Sequence, residues 1–440
     1  MKRIAVPVAI QNLMSALVGA SDALMLGRLS QNAVAAVSLA NEISFVMSLF
    51  LMTAVGAVGT LTAQYHGKGD RGTEGYLFCS ALRYSVGIAA VFFLMAQVVP
   101  EKLMLLYTSD PELLGIGAEY LKIVSWSFLF DAVSRCYLLM MRICGRAAKS
   151  ASIAVMTVIV DMTADLFLIY GLCGLPKCGA NGSAWSTVIV ELAAMIWVIA
   201  ESHQGDHLRP AMKQIAHFSG LLEKDLLRLM GPMLTASLAW GLGVSVHSVV
   251  MGHMGSNAAA AASIATVTKN LVTCAGKGIS SAAGIMIGGR LGRNDLAEAK
   301  KCGDRLVCTS FVCGACNAAL VLLLTPFMVL FFILTDTARS YLIWMLVFTA
   351  LYTFAHALNT IVVNGIFFAG GDAKYDSKTV TLSMWCFSIP LAALGAFVFR
   401  WPVLPVYMLV CSDEIVKLPW LIPHYRKHIW LKNLTRDSAV

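Results

Sequence analysis

Apolar residues along this chain come in long unbroken runs, not in the alternation of a half-buried strand or the single stripe of a soluble amphipathic helix. A helix of about 20 apolar residues spans a bilayer. Twelve such runs can be placed, at residues 4–27, 33–65, 76–99, 113–143, 151–171, 182–200, 226–252, 257–289, 302–334, 340–368, 379–399 and 403–423. Between the sixth and seventh lies a polar stretch, ESHQGDHLRPAMKQIAHFSGLLEKD (201–225), whose Pro, Gly, mixed charge and short amphipathic piece read as a surface linker. The pattern predicts an all-α polytopic membrane protein: a six-helix lobe over 1–200, a cytoplasmic linker over 201–225, and a second six-helix lobe with a short cytoplasmic tail over 226–440.

The two halves repeat each other. Shifted by 225 positions, VPVAIQNLMSALVGASDALMLGRLSQNAVAAVSLA (6–40) aligns with GPMLTASLAWGLGVSVHSVVMGHMGSNAAAAASIA (231–265), so that Pro7 meets Pro232, Gly27 meets Gly252 and Asn32 meets Asn257. The register holds through Gly59 and Gly284, Gly67 and Gly292, to Asp70 and Asp295. Six helices precede the restart, so both copies run the same way and are related by a pseudo-two-fold axis along the membrane normal. Parallel repeats of this kind place a substrate site near mid-membrane at the repeat interface, opened alternately by rocking.

Composition agrees with the pattern. At 58% hydrophobic and 13% charged residues, the chain is too apolar for a soluble protein of this length. The net charge of +8 then reads as loop bias that sets topology, with no nucleic-acid partner implied. With both ends cytoplasmic, that side collects most of the Lys and Arg, while the opposite loops hold only Arg28, Lys102, Lys122, Lys177, Arg339 and Arg400. The expected location is the cell (inner or plasma) membrane. No cleavable signal peptide is visible, because the first apolar run is a full span. The twelve Cys match no zinc spacing. Cys313 and Cys316 fall inside a span, where packing is their expected role, and Cys173 and Cys178 flank a short loop that could carry an exoplasmic disulfide.

Acids inside spans are the candidate chemistry. Asp161 and Asp165 are four apart, so on a helix they share one face with Cβ atoms roughly 6 Å apart. Each charge at mid-bilayer costs about 2.5–3.5 kcal/mol on the insertion scale, and two like charges this close raise one carboxyl's proton affinity unless a cation lies between them. A shared proton or a metal cation is therefore implied. Asp22 lies on a face of the first helix that also carries Gln11 and Ser15, and the sixth span adds Thr187 and Glu191. Glu42 on the second span is a further cleft candidate. Asp131 with Arg135, and Asp413 or Glu414 with Lys417, are spaced as internal ion pairs.

SDALMLGRLSQNAVAAVSLA after a proline-bearing first helix, CGRAAKS after the fourth, DLFLIYGLCGLPKCGANGSAWST across the fifth and sixth, and FFAGGDAKY in the second half together resemble the multidrug and toxic compound extrusion (MATE) transporters. The similarity covers essentially the whole chain and is nearest to the DinF-like branch. It implies two six-helix lobes facing a central cleft, no cofactor, and export of small organic molecules driven by Na+ or H+ entry. The branch's cation site, carried over position by position, falls on Asp22, Asp161, Asp165 and Thr187; Asp161 stands where the family has Asn.

The second half differs. Apart from Asp304, two residues into the span 302–334, its spans 226–252 to 379–399 hold no carboxylate and carry His247, Lys269, Lys277 and His356, with His247 at the repeat position of Asp22. The acid that the NorM branch uses on the seventh helix is missing, which argues against coupling in that manner. His247, Lys269 and His356 join Gln11, Ser15 and Glu42 as candidate cleft residues, and a lysine there favours anionic or zwitterionic cargo. A lipid-linked-sugar flippase is the alternative; it would need a more basic cleft and extra helices. An integral membrane enzyme finds no HExxH, no paired acidic loop motif and no Ser/His arrangement to support it.

Overall fold

The computed structural model describes residues 2–27, 30–171, 174, 178–204, 215, 219–332 and 334–436. Among them every regular element is a helix. The first half contains α1 (Lys2–Gly27), α2 (Gln31–Lys68), α3 (Arg71–Val98), α4 (Pro111–Ile143), α5 (Ala147–Tyr170) and α6 (Gly179–His203), with a short helix Pro100–Met104 between α3 and α4. The second contains α7 (Gly220–His253), α8 (Ser256–Gly292), α9 (Leu296–Phe331), α10 (Asp336–Gly370), α11 (Ala373–Val398) and α12, which comes in two pieces, Val403–Val410 and Ser412–Arg426. The ten helices from α2 to α11 are long and apolar enough to cross a membrane.

Several helix ends lie outside the apolar runs. Polar turns extend α2, α5 and α7 beyond the hydrocarbon length, because an α-helix satisfies its own backbone and needs no apolar sequence to continue into water. One consequence corrects the expectation for the second half: α11 starts at Ala373, six residues before the apolar run, so Asp376 belongs to a helix and not to a loop. The twelfth span is also not one helix. It is interrupted at Cys411, directly before Ser412, Asp413 and Glu414. α10 and α11 contain wider π-helical turns, in which Phe368 bonds back to the Val363 carbonyl and Ile389 to that of Met384, five residues away.

The chain divides into two compact units. Among the described residues, one comprises 2–9, 63–69 and 224–436, and the other 10–62 and 70–223. In the second, α4 packs on α3 and α6, and α5 on α6, around a core that includes Leu51, Leu121, Phe128 and Ile169. In the first, α10 packs on α8 and α9 around Val250, Leu346 and Tyr407.

Local structure repeats with the sequence. Asp70 caps α3 by accepting from the Thr73 N–H at 3.1 Å, and Asp295 caps α9 by accepting from Glu298 N–H at 3.1 Å, each the other's image under the shift of 225. The end of α2 crosses the end of α8 backbone to backbone. A Cβ on Gly67 would lie 2.1 Å from the Gly289 carbonyl oxygen, and one on Gly292 would lie 1.7 Å from the Gln64 carbonyl oxygen. Under the repeat, Gly67 maps to Gly292 and Gln64 to Gly289, so the contact is its own reciprocal, as at a local two-fold axis. Only glycine admits so close a crossing.

Candidate functional site

The hydroxyl of Tyr170, at the end of α5, donates to the Met25 carbonyl on α1 at 2.8 Å. This tie fixes the last turns of α1 against α5, and one turn earlier Asp22 faces Asp165. Their carboxyls meet directly. Asp165 is 1% exposed, and neither of its oxygens, nor Asp22 Oδ1, accepts a hydrogen bond from any donor among the described residues. A carboxylate only accepts, so two of them face to face can share nothing but a proton or a cation. Asp161 stands one turn before Asp165, within electrostatic reach of Asp22.

Two further helices complete the surroundings. From α6, the Ser186 hydroxyl is buried and lies 3.4 Å from Asp161 Oδ1 and 3.3 Å from its carbonyl oxygen. From α4, Tyr120, 4% exposed, is near all three aspartates and Ser183, with its hydroxyl a long 3.5 Å from Asn41 Oδ1. Every donor atom in this set is oxygen. That is the chemistry of a hard cation or a proton, and not of zinc or copper.

Thr187, the α6 residue singled out from the sequence, turns its hydroxyl back to the Ser183 carbonyl at 3.1 Å. Its neighbour Ser186 is the one directed at the acids. Neither Ser186 nor Tyr120 was singled out from the sequence, because spacing along one helix does not fix how that helix is rotated against another. Gln11 Oε1 is buried without a donor, and Ser15 donates to the Gln11 carbonyl at 3.1 Å. Glu42 is exposed. Glu191 lies within electrostatic reach of Asp131, Arg135 and Asp161, and Arg135 Nε reaches both oxygens of Asp131 at 2.7 and 2.8 Å. Cys173 lies outside the described residues.

The other unit has its own polar interior. Glu414, 3% exposed, accepts from Asn359 Nδ2 at 2.6 Å and Lys417 Nζ at 3.2 Å, with His356 Nδ1 at 3.4 Å. His356 stacks on Tyr352 at 5.6 Å between centroids. The Lys269 ammonium sits 4.9 Å from the centre of the Tyr352 ring, and Asp413 is within electrostatic reach. That lysine has no acid near it in sequence, yet the fold supplies one 144 positions away. His247 Nε2 is 3.1 Å from Ser388 Oγ, which itself donates to the Leu409 carbonyl at 2.8 Å. The serine proton being committed to that carbonyl, the ring donates from Nε2 and keeps Nδ1 as an acceptor when neutral.

The MatE family model matches twice, over residues 7–166 and 232–394, the two matches beginning at the prolines that the internal repeat pairs. The chain belongs to the MatE family. It is therefore a multi-pass membrane transporter, and its relatives carry matching names. It is 24% identical over 434 residues to the uncharacterized transporter YisQ of Bacillus subtilis, covering 97% of this chain and 93% of that one. It is 26% identical over 399 residues to the multidrug resistance protein PmpM of Pseudomonas aeruginosa, covering 88% and 80%. Among solved structures, a MOP superfamily transporter from Pyrococcus furiosus, described as having a binding pocket of reverse polarity, superposes with a TM-score of 0.88 at 14% identity, covering 97% of this chain and 94% of that one. A variant of the MATE transporter VcmN of Vibrio cholerae gives a TM-score of 0.87 at 16% identity, covering 98% and 96%. At these identities the superpositions speak for the fold alone.

Proposed function

We propose that this MatE-family chain is a secondary active exporter, in which entry of H+ or Na+ drives the outward movement of small amphipathic organic molecules by alternating access. The observation that carries the reading is the meeting of Asp22 and Asp165, three of whose oxygens are buried without a donor. Multidrug resistance names among the relatives support the cargo class. Asp22, Asp161 and Asp165 hold the cation, and Ser186 and Tyr120 orient it; the placement in the N-terminal half is what similarity to the DinF-like branch implies. The ion moves the transport cycle by binding one packing of the lobe more tightly than the other, since a ligand shifts an equilibrium only by its differential affinity.

Purified protein in liposomes loaded with a fluorescent amphipathic dye tests the coupling. Asp22→Asn and Asp165→Asn should each reduce gradient-driven dye movement to the level of empty liposomes. Asp161→Asn, which restores the family's residue, should keep transport with a changed pH or sodium dependence. Titrating pH at fixed sodium, then sodium at fixed pH, separates a shared proton from a bound metal ion. Full activity in both Asp22→Asn and Asp165→Asn would return the acids to a structural role.

The same reading puts both termini in the cytoplasm. Gly72→Cys, at an exposed position just inside α3, should react with impermeant thiol reagents only from the cytoplasmic side. Labelling in intact cells reverses the topology.

A further inference from the structure

The unit comprising residues 2–9, 63–69 and 224–436 holds a partly open cavity of about 290 Å³, bordered at its mouth by the exposed Ser248, Ser263 and Thr266 and distinct from the aspartate cluster of the other unit. Lys269, Asp413 and His247 reach it among walls that include Tyr352, Met251 and Met384. Lys269 and Asp413 carry opposite charges into one small space without closing an ion pair on each other; the ammonium lies over the face of Tyr352, 4.9 Å from its centre. Of the other acids nearby, Glu414 holds Lys417 and Asn359, and Asp376 lies within electrostatic reach of the same lysine. His247 is likewise tied, through Ser388. Asp413, 2% exposed, lies in the field of Lys417 as well as of Lys269, yet among the described residues neither it nor Lys269 closes a salt bridge, so both charged groups are open to a ligand at the cavity.

We propose that this cavity binds a zwitterionic organic molecule, its anionic group on Lys269, its cationic group on Asp413 and its apolar body against Tyr352, Met251 and Met384. A dipolar ion meets both fixed charges with opposite ones. A plain cation would face Lys269, and a plain anion would face Asp413, each meeting a like charge within one small cavity, so the pair selects against both singly charged classes. The methionines give the walls a polarisable surface that adapts to the body of the ligand. This deepens the exporter reading by naming a class of cargo, and it rests on that reading only for the step from bound molecule to transported one.

Equilibrium binding to the full-length purified protein, measured calorimetrically without any ion gradient, tests it. The probes are para-(aminomethyl)benzoate, its methyl ester and para-methylbenzoate, which are matched in shape as dipolar ion, cation and anion. The aminoethyl and the biphenyl homologues of each vary the distance between the charges. In at least one set the dipolar ion should bind about tenfold or more tighter than both of its partners. Lys269→Met should then erase its advantage over the ester, Asp413→Asn its advantage over the methylbenzoate, and Lys269→Arg should retain both. Binding of a singly charged probe as tight as the dipolar ion in every set, or no binding of any probe at millimolar concentration, overturns the proposal, and the comparison on the unaltered protein stands even if a variant misfolds. Selectivity that survives both Lys269→Met and Asp413→Asn overturns it as well. Because no gradient is involved, failure here leaves the coupling reading intact, and failure of gradient-driven transport leaves the binding result intact.

Discussion

In the unit of residues 10–62 and 70–223, Asp165 is 1% exposed and neither of its oxygens accepts a hydrogen bond. In the unit containing residues 224–436, Glu414 is 3% exposed, and Lys417, Asn359 and His356 surround its carboxylate. Burial is the same and the surroundings are opposite. An acid that the protein itself neutralises is held in one state, so it contributes to structure. An acid that is left to face a second acid has to be neutralised from outside, and that makes its region responsive to a mobile cation. Sequence spacing alone ranks the two alike, since each stands within four positions of another acid or of a lysine.

This contrast predicts opposite phenotypes for neutral replacements. Glu414→Gln takes from buried Lys417 the one carboxylate it pairs with directly among the described residues, leaving Asp413 and Asp376 only at longer range, and breaking a buried pair costs about 3–5 kcal/mol. The thermal midpoint should fall sharply, and Glu414→Leu with Lys417→Met together should recover most of the loss. Asp165→Asn removes a carboxylate that has no donor, so the midpoint should stay at or above that of the unaltered protein while gradient-driven transport is lost. A large drop in stability for Asp165→Asn, with none for Glu414→Gln, would invert the assignment of the two regions. Thermal unfolding in detergent, followed on both proteins and the double variant, decides it.

How much of this was visible in the sequence follows from what a bilayer constrains. Twelve apolar runs located the helices because the hydrocarbon thickness fixes their length, and the register between Pro7 and Pro232 exposed the repeat. Asp22, Asp161 and Asp165 stood out because a charge in an apolar span is conspicuous. Rotation about a helix axis is not written in spacing. Ser186 and Thr187 differ by one residue, about 100° of turn, and only packing of α6 on α5 selects between them. Tyr120 and the approach of Asp413 to Lys269 depend on contacts between distant segments. The break at Cys411 was hidden for another reason: Val403–Val410 is as apolar as an unbroken span, and Asp413 and Glu414 beyond it are spaced to pair with Lys417 within one continuous helix.

The choice between the two α6 hydroxyls gives a smaller test. Ser186 lies against Asp161, while Thr187 is spent on its own helix. A single neutral hydrogen bond is worth about 0.5–1.5 kcal/mol, so Ser186→Ala should shift the cation concentration for half-maximal transport by several-fold. Thr187→Val should shift it by less than about twofold, since its hydroxyl only reinforces a carbonyl already bonded within the helix. Equal shifts for both would mean that α6 is turned about midway between them.

The smallest expected effect lies where the two halves agree in shape and differ in residue. Gly69, between α2 and α3, has φ +84°, and its repeat partner Asn294, between α8 and α9, has φ +60°. Both are left-handed turns that lead into the aspartate caps of α3 and α9, so the backbone demand is one and the same, met once by the residue without a Cβ and once by the side chain that best tolerates this conformation. Nothing lies within 4 Å of a Cβ built on Gly69, so packing adds no penalty and only the backbone preference is tested. Gly69→Ala should therefore destabilise by about 1 kcal/mol, and Gly69→Asn by no more than about half of that. Asn294→Gly should be close to neutral and Asn294→Ala should resemble Gly69→Ala. Thermal midpoints of the four variants check the set. If Gly69→Asn proves as harmful as Gly69→Ala, the two turns are not equivalent, and the repeat ends before the caps.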